Sequence, residues 1–183
     1  MVEFLNKDKA YAEIVQMVIN AANKLVLISP YIKLPADFLD RLKYRDKQGF
    51  QTVIVCREKN LNDEVRSSLK QLKYLDLRFD DVLHAKCFHN EKSMVITSLN
   101  LHEHSQQNNR EMGILLSLEE DSNVFKEALN EAQFIVDRAK KDSTMRTVVN
   151  RIVKEAKAVV ALPTVGDVRK AKTSSRASTK GYC

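Results

Sequence analysis

The sequence predicts an α/β fold in which a mixed β-sheet is flanked by helices. Two observations support this prediction. Short apolar runs alternate with segments of helical periodicity in the first half of the chain, and a hairpin-like pair of apolar runs follows. Alternating strands and helices are typical of parallel sheets, whereas a hairpin adds antiparallel strands. We therefore expect one sheet that contains both strand directions.

The predicted helices carry apolar residues at spacings of three and four, which places those residues on one helix face. We predict helices over 9–23, 37–47, 61–73, 123–140 and 144–160. The second helix should end at Gly49, because glycine readily adopts the left-handed conformation that closes a helix.

The predicted strands are short apolar runs, several of them rich in β-branched residues and bounded by turn residues. They cover 24–31, 50–56, 75–79, 84–89, 93–97 and 113–118. The residues Asn90, Glu91 and Lys92 separate two of these runs by a connection of hairpin length. This connection predicts an antiparallel strand pair.

The composition excludes several classes of protein. The chain has 183 residues, about the length of one domain, and 44% hydrophobic with 30% charged residues is typical of a globular protein. Its four glycines are too scattered for a P-loop or a dinucleotide-binding loop. The three cysteines form no disulfide framework, so we expect a reducing, cytoplasmic compartment. No apolar run is long enough to insert into a membrane.

The positive charge is unevenly distributed. The net charge is +6 at pH 7, and residues 164–183 contribute +4 of it through five basic side chains and one acid. A basic balance favours a polyanionic partner such as nucleic acid. We predict one folded domain over 1–140, a C-terminal helix over 141–163 and a flexible basic tail over 164–183.

The residues that indicate chemistry lie between 82 and 116. His84 and Lys86 are two positions apart on a predicted strand, so they share one face of it. Ser98 and Asn100 follow the next strand, and Glu111 precedes the strand after that. Binding and attacking a phosphate requires a nucleophile or base, a cation, neutral hydrogen-bond donors and a carboxylate, and the pattern places these groups at adjacent strand ends.

This pattern resembles the phospholipase D superfamily, whose signature is H-x-K-x4-D followed by a G-S-x-N-like segment. Residues 84–86 match H-x-K, residues 97–100 match G-S-x-N with Thr97 in place of glycine, and residues 109–111 resemble the N-x-E segment of the small bacterial nucleases of the superfamily. Glu91 stands where the signature has aspartate, and we expect it to brace the hairpin turn. The resemblance extends over roughly residues 24–118.

The resemblance implies covalent catalysis without a metal or cofactor. One histidine attacks phosphorus, and a second protonates the leaving oxygen and then activates water. Because the chain has one H-x-K motif, the second histidine is expected to be His84 of another subunit in a homodimer. Lys86 and Asn100 are expected to bind the non-bridging oxygens with help from Ser98. Glu111 is expected to bond the far ring nitrogen of His84.

The favoured function is a phosphodiesterase that cleaves DNA or RNA. A phospholipid headgroup phosphodiesterase or transferase is a second hypothesis, disfavoured by the absence of an amphipathic membrane helix with exposed aromatics and of tryptophan. A catalytically silent nucleic-acid-binding domain is the third, and Thr97 beside the phosphate pocket is its main support.

Two other motifs are weaker. The sequence His102-Glu103-His104 offers two zinc ligands but no third or fourth, so a surface loop is the favoured interpretation. Cys183 could begin a zinc module of the kind that follows the domain in some longer proteins resembling this one, but a single cysteine cannot bind structural zinc. The basic face of the last predicted helix, with Arg146 and Lys154, is interpreted as solvated.

Overall fold

The computed structural model describes residues 1–102 and 109–143, and the predictions for residues 103–108 and 144–183 lie outside this described part. The elements in chain order are β1 (Glu3–Asn6), α1 (Lys7–Asn20), β2 (Lys24–Ile28), β3 (Ile32–Lys33), α2 (Ala36–Lys47), β4 (Gln51–Cys56), a 3₁₀ helix (Glu58–Asn60), α3 (Asp63–Leu69), β5 (Leu75–Phe79), β6 (Cys87–His89), β7 (Ser93–Thr97), β8 (Leu101–His102), β9 (Met112–Ser117), α4 (Ser122–Arg138) and β10 (Lys140–Lys141).

Eight of the described strands form one mixed sheet in the order β1-β9-β7-β6-β2-β4-β5-β10. Strands β2, β4 and β5 run parallel, because helical crossovers connect them. The remaining neighbours pair antiparallel, beginning with the β6–β7 hairpin. The predicted α/β fold with a mixed sheet and flanking helices is therefore confirmed. Strands β3 and β8 form a separate parallel pair.

The two faces of the sheet are covered by different helices. Helices α1, α2 and α3 pack on one face, and α4 packs on the other. Strand β2 supplies both cores, since Leu25 and Leu27 face the first set and Val26 and Ile28 face α4. A strand buried on both faces has no polar side, which explains why β2 is a continuous apolar run in the sequence.

Local residues explain where several helices begin and end. The Asn6 side chain accepts a hydrogen bond from the Lys9 amide at 3.0 Å, and Asn62 accepts one from Val65 at 2.8 Å. Both asparagines satisfy an amide that has no partner within its helix. Gly49 has φ +81° one residue beyond the cap of α2, as predicted for a glycine that closes a helix.

The strand predicted over 84–89 is wrong at its beginning. Strand β6 starts only at Cys87, and residues 84–86 form an irregular segment after a turn in which the Leu83 amide donates to the Asp80 carbonyl at 3.1 Å. His84 and Lys86 thus precede the strand instead of sharing its pleat.

Four further strands, β1, β3, β8 and β10, were not predicted, since all are four residues or shorter and carry no clear period. The last of them crosses the predicted domain boundary at residue 140, and the division into domains stays a prediction. No helix within the described ranges is both long and apolar enough to cross a membrane.

Candidate active site

Sheet register brings the predicted site residues to one edge. Cys87, at the start of β6, pairs with Ile28 at the end of β2, and it also pairs with Ile96 on β7. Thr97, the last residue of β7, pairs with Gly113 near the start of β9. The segments 84–86 and 97–100 and the residue Glu111 therefore all leave the sheet at the carboxyl ends of its parallel strands. Ligands of open α/β sheets bind at this kind of edge.

The backbone around His84 is held by two cations. The Lys86 ammonium donates to the His84 carbonyl oxygen at 2.9 Å, and the Arg57 Nε donates to the Leu83 carbonyl oxygen at 2.6 Å. These carbonyls belong to successive residues and have left the ordinary strand ladder. The His84 side chain itself is exposed, so it is accessible to a substrate.

The electrostatics of Lys86 reflect this crowded position. Partial burial lowers the pKa of Lys86, and the nearby Arg57 charge lowers it further, while Glu111 raises it. The net pKa lies below the ordinary lysine value of 10.5. Glu111 therefore does not fully compensate for the effects of burial and of the Arg57 charge on this pKa.

Glu111 binds Ser98 instead of His84. The Ser98 hydroxyl donates to Glu111 Oε2 at 2.5 Å, and the Asn109 amide donates to Oε1 at 3.3 Å. Within the described residues Glu111 makes no bond to the His84 ring, and its role as the residue that orients His84 stays a prediction. Ser98 and Glu111 flank the paired ends of β7 and β9, whereas His84 lies on a separate, exposed segment.

Thr97 is tied to the backbone of its own turn. Its hydroxyl donates to the Met112 carbonyl at 2.7 Å and accepts from the Leu99 amide at 3.1 Å. Space for the threonine exists because its cross-strand partner is Gly113. A Cβ at Gly113 would lie 2.7 Å from both the Thr97 Cβ and the Ile96 carbonyl oxygen. The departure from glycine at position 97 is thus matched by a glycine at position 113.

Asn100 lies on a segment pinned to the end of β2. The buried Ser29 hydroxyl accepts from the Leu101 amide at 3.3 Å and donates to the Tyr31 carbonyl at 2.9 Å. Within the described residues, the Oδ1 atom of Asn100 is buried and has no hydrogen-bond partner. Asn100 is therefore held at the same edge with a side-chain oxygen that no described group satisfies.

One cleft joins three of the five predicted site residues. The cleft has a volume of about 460 Å³ and is lined by His84, Lys86, Thr97 and Ser98 on the sheet side. The facing wall is helix α4, which contributes three apolar side chains and the carboxylate of Glu131. Glu111 adjoins the cleft through its bond to Ser98, and Asn100 is not part of its lining.

Glu91 has a structural role away from this cleft. Its carboxylate accepts a hydrogen bond from the Ala22 amide at 2.5 Å, which ties the hairpin turn to the chain entering β2. Burial raises the pKa of Glu91, but backbone N–H groups including those of Ala22, Asn23 and Lys24 lower it more, so the net pKa lies below the usual range. The expected bracing role is consistent with these contacts.

Sequence reasoning missed Arg57. The signal that could have found it is its position directly after β4, at the carboxyl end of a parallel strand, where open α/β sheets place their functional residues. The basic side chain alone did not distinguish it from a solvated surface arginine.

The fold and this edge define a phospholipase D-like α/β domain. A family model described as "Cardiolipin synthase, PLD-like domain" matches residues 14–133, well over half of the chain. The chain belongs to this family. Comparison with curated proteins gave no match.

Solved structures share the fold at low sequence identity. The phospholipase D family member Nuc from Salmonella typhimurium is 15% identical with a TM-score of 0.62, and the match covers 78% of this chain and 96% of Nuc. NucT from Helicobacter pylori is 14% identical with a TM-score of 0.66, covering 78% and 99%. Phosphatidylserine synthase from Haemophilus influenzae is 14% identical with a TM-score of 0.61, covering 87% of this chain and 46% of that one.

Proposed function

We propose that the chain is a metal-independent phosphodiesterase that cleaves DNA or RNA through a phosphohistidine at His84. The observation that carries this proposal is the cleft shared by His84, Lys86 and Ser98 at the functional edge of the sheet. The likeness of the fold to Nuc and NucT, each of which is matched over nearly its whole length, supports nucleic acid as the substrate, and the likeness to the phosphatidylserine synthase keeps lipid as the second candidate.

The proposed reaction has two steps. A ring nitrogen of His84 attacks phosphorus, and the bond from phosphorus to the leaving oxygen breaks as a second histidine donates a proton to that oxygen. The second histidine then takes a proton from water, which attacks the phosphohistidine and releases the phosphate monoester. Lys86 and Asn100 bind the non-bridging oxygens. Glu111 acts through Ser98, whose hydroxyl it orients.

The second histidine is proposed to be the partner subunit's His84 in a homodimer. Exposed apolar side chains beside the site support this assembly. Phe4 pairs with Ile114 across β1 and β9, and Ile114 pairs with Ile96 on β7. Phe4 on β1 is 64% exposed, and Met112 on the neighbouring strand β9 is 62% exposed. We propose that a second copy covers this surface and places its own His84 at the cleft.

The proposed compartment is the cytoplasm. Cys56 and Cys87 are buried free thiols, and burial raises the pKa of each to about 12. Thiols of this kind are inert core residues and need no oxidising environment.

Purified protein incubated with plasmid, single-stranded DNA, RNA and phosphatidylglycerol vesicles tests the reaction, each with and without EDTA. We expect cleavage of at least one nucleic acid, unaffected by EDTA and absent in His84→Ala. Hydrolysis of the vesicles alone would select the lipid hypothesis. Binding of nucleic acid without cleavage would select the silent domain.

Subunit mixing tests the homodimer. If both histidines act on one phosphate, a wild-type subunit paired with a His84→Ala subunit is inactive. Adding excess His84→Ala protein at constant wild-type concentration should therefore lower total turnover after subunits exchange. Unchanged turnover, together with a monomeric mass by light scattering, would refute the shared site.

A further inference from the structure

We propose that Arg57 is a second phosphate-binding cation of the His84 site and contacts the same phosphate as Lys86. The inference rests on the proposed function for the identity of the substrate, but its test needs only an inorganic phosphate mimic. Arg57 directly follows β4, so it lies at the edge where His84 and Lys86 also lie.

The first argument is geometric. Arg57 Nε donates to the carbonyl oxygen of Leu83 at 2.6 Å, and Lys86 Nζ donates to that of His84 at 2.9 Å. Because the two acceptors belong to successive residues, the two cations flank the backbone that presents His84. An anion bound at His84 would lie within reach of both charges.

The second argument concerns the partners of the guanidinium groups. Arg66 pairs with the carboxylates of Glu58 and Asp142, and Arg78 pairs with Asp76. Arg57 instead uses Nε on a neutral carbonyl, and its two terminal nitrogens form no hydrogen bond or ion pair within residues 1–102 and 109–143. Among the described residues no carboxylate therefore pairs with Arg57, and its planar fork is available to a ligand.

The third argument is electrostatic. The Arg57 charge is close enough to Lys86 to disfavour the protonated lysine. Glu111, the carboxylate that raises the pKa of Lys86, is already hydrogen-bonded to Ser98 and Asn109. Two like charges held together in this way favour the binding of an anion, which relieves their repulsion.

The chemistry of a guanidinium suits this task. Its terminal N–H groups can donate to two oxygens of one phosphate at once. A lysine ammonium lacks this fixed geometry and attracts the phosphate as a point charge. Arg57 would thus fix the orientation of the phosphate and stabilise the charge that develops on its oxygens, while no bond to Arg57 forms or breaks.

Tungstate binding by the full-length protein tests the proposal. Isothermal titration would compare wild type with Arg57→Gln, Arg57→Lys and the control Arg41→Gln, which removes an exposed charge from α2. Arg57→Gln should weaken tungstate binding by about tenfold or more, the effect of losing a charge-assisted hydrogen bond. Arg41→Gln should change it by less than about twofold.

Arg57→Lys separates charge from backbone support, because it keeps the charge and loses the Nε contact to Leu83. It should keep more tungstate affinity than Arg57→Gln. Three results would each overturn the proposal. The two variants could lose the same amount of tungstate affinity, Arg57→Gln could bind tungstate as tightly as wild type, or wild type could bind no tungstate. Thermal melts followed by circular dichroism check that both variants fold.

The same variants distinguish this inference from the proposed function. Tungstate binding that depends on Arg57 in a protein that cleaves no nucleic acid would support the phosphate site and refute the nuclease. Nuclease activity that is lost in His84→Ala and unchanged in Arg57→Gln would support the nuclease and refute the role of Arg57.

Discussion

The two segments that meet at the candidate site are held in place by different chemistry. At residues 84–86, the side chains of Arg57 and Lys86 donate to backbone carbonyls, and in the described part of the chain each keeps N–H groups without a partner. At residues 97–100, the hydroxyls of Thr97 and Ser98 are satisfied by the backbone of β9 and by Glu111. The first segment presents open charge, and the second is neutral and closely packed against Gly113.

This difference indicates a division of roles. Free charge beside an exposed histidine is useful to a ligand and contributes little to folding, because exposed charges are screened by water. Close packing against a glycine contributes to folding and tolerates little change. Substitutions in residues 84–86 should therefore reduce activity without loss of stability, and substitutions around Thr97 should reduce stability first.

The largest effect is expected for His84→Ala. If His84 is the nucleophile, turnover should fall on the order of 10⁴-fold or more, since no other group can form the covalent intermediate. The free energy of unfolding should change by less than about 0.5 kcal/mol, because the side chain is exposed. Cleavage rates and urea titrations measure the two quantities. A His84→Ala enzyme that works at the wild-type rate would refute the mechanism.

Lys86→Ala should lower turnover by about 10²- to 10³-fold, the usual effect of removing one group that stabilises transition-state charge. Lys92→Ala is the matched control, because Lys92 is an exposed lysine at the far end of the same hairpin. Both rates can be measured on bis(p-nitrophenyl) phosphate. Equal effects of the two substitutions would show that general surface charge, and not the site, is responsible.

Gly113→Ala tests the neutral segment through stability. The new Cβ would lie 2.7 Å from the Ile96 carbonyl oxygen and from the Thr97 Cβ. We expect a loss of about 1–3 kcal/mol in the free energy of unfolding, as for other overpacked sites. Thr97→Gly in the same chain should recover only part of this loss, since the Ile96 carbonyl remains. Urea denaturation of the single and double variants measures both, and a Gly113→Ala chain as stable as wild type would contradict the packing argument.

The smallest effect is expected in the pH dependence. Burial and the Arg57 charge lower the pKa of Lys86 from 10.5. As pH rises, Lys86 should therefore lose its proton before pH 10.5 is reached, and kcat/KM should decline over the same pH range. Glu111 raises this pKa, so Glu111→Gln should move the alkaline decline to still lower pH. A pH–rate profile on bis(p-nitrophenyl) phosphate measures the shift. A shift in the opposite direction would contradict the assignment of the alkaline limb to Lys86.

The sequence by itself determined the elements whose burial follows a local pattern. Strands 75–79 and 93–97 match β5 and β7 in full, and Gly49 ends its helix as expected. Periodic apolar residues encode which face of an element is buried, and β-branched runs favour strands, so these features need no knowledge of distant residues. The mixed sheet then followed from the order of the elements.

Tertiary structure alone decided how the site residues pair. By its chemistry the Glu111 carboxylate can accept a hydrogen bond from either His84 or Ser98. The register of β7 and β9 places Ser98 within hydrogen-bond distance of it. Arg57 and Leu83 are 26 residues apart, and they meet because parallel strands end at a common edge. Sequence patterns report burial along one segment, whereas a hydrogen-bond partner depends on where side chains from separate segments point. For this reason the gathering of the candidate residues at one end of the sheet was predictable, and their contacts were not.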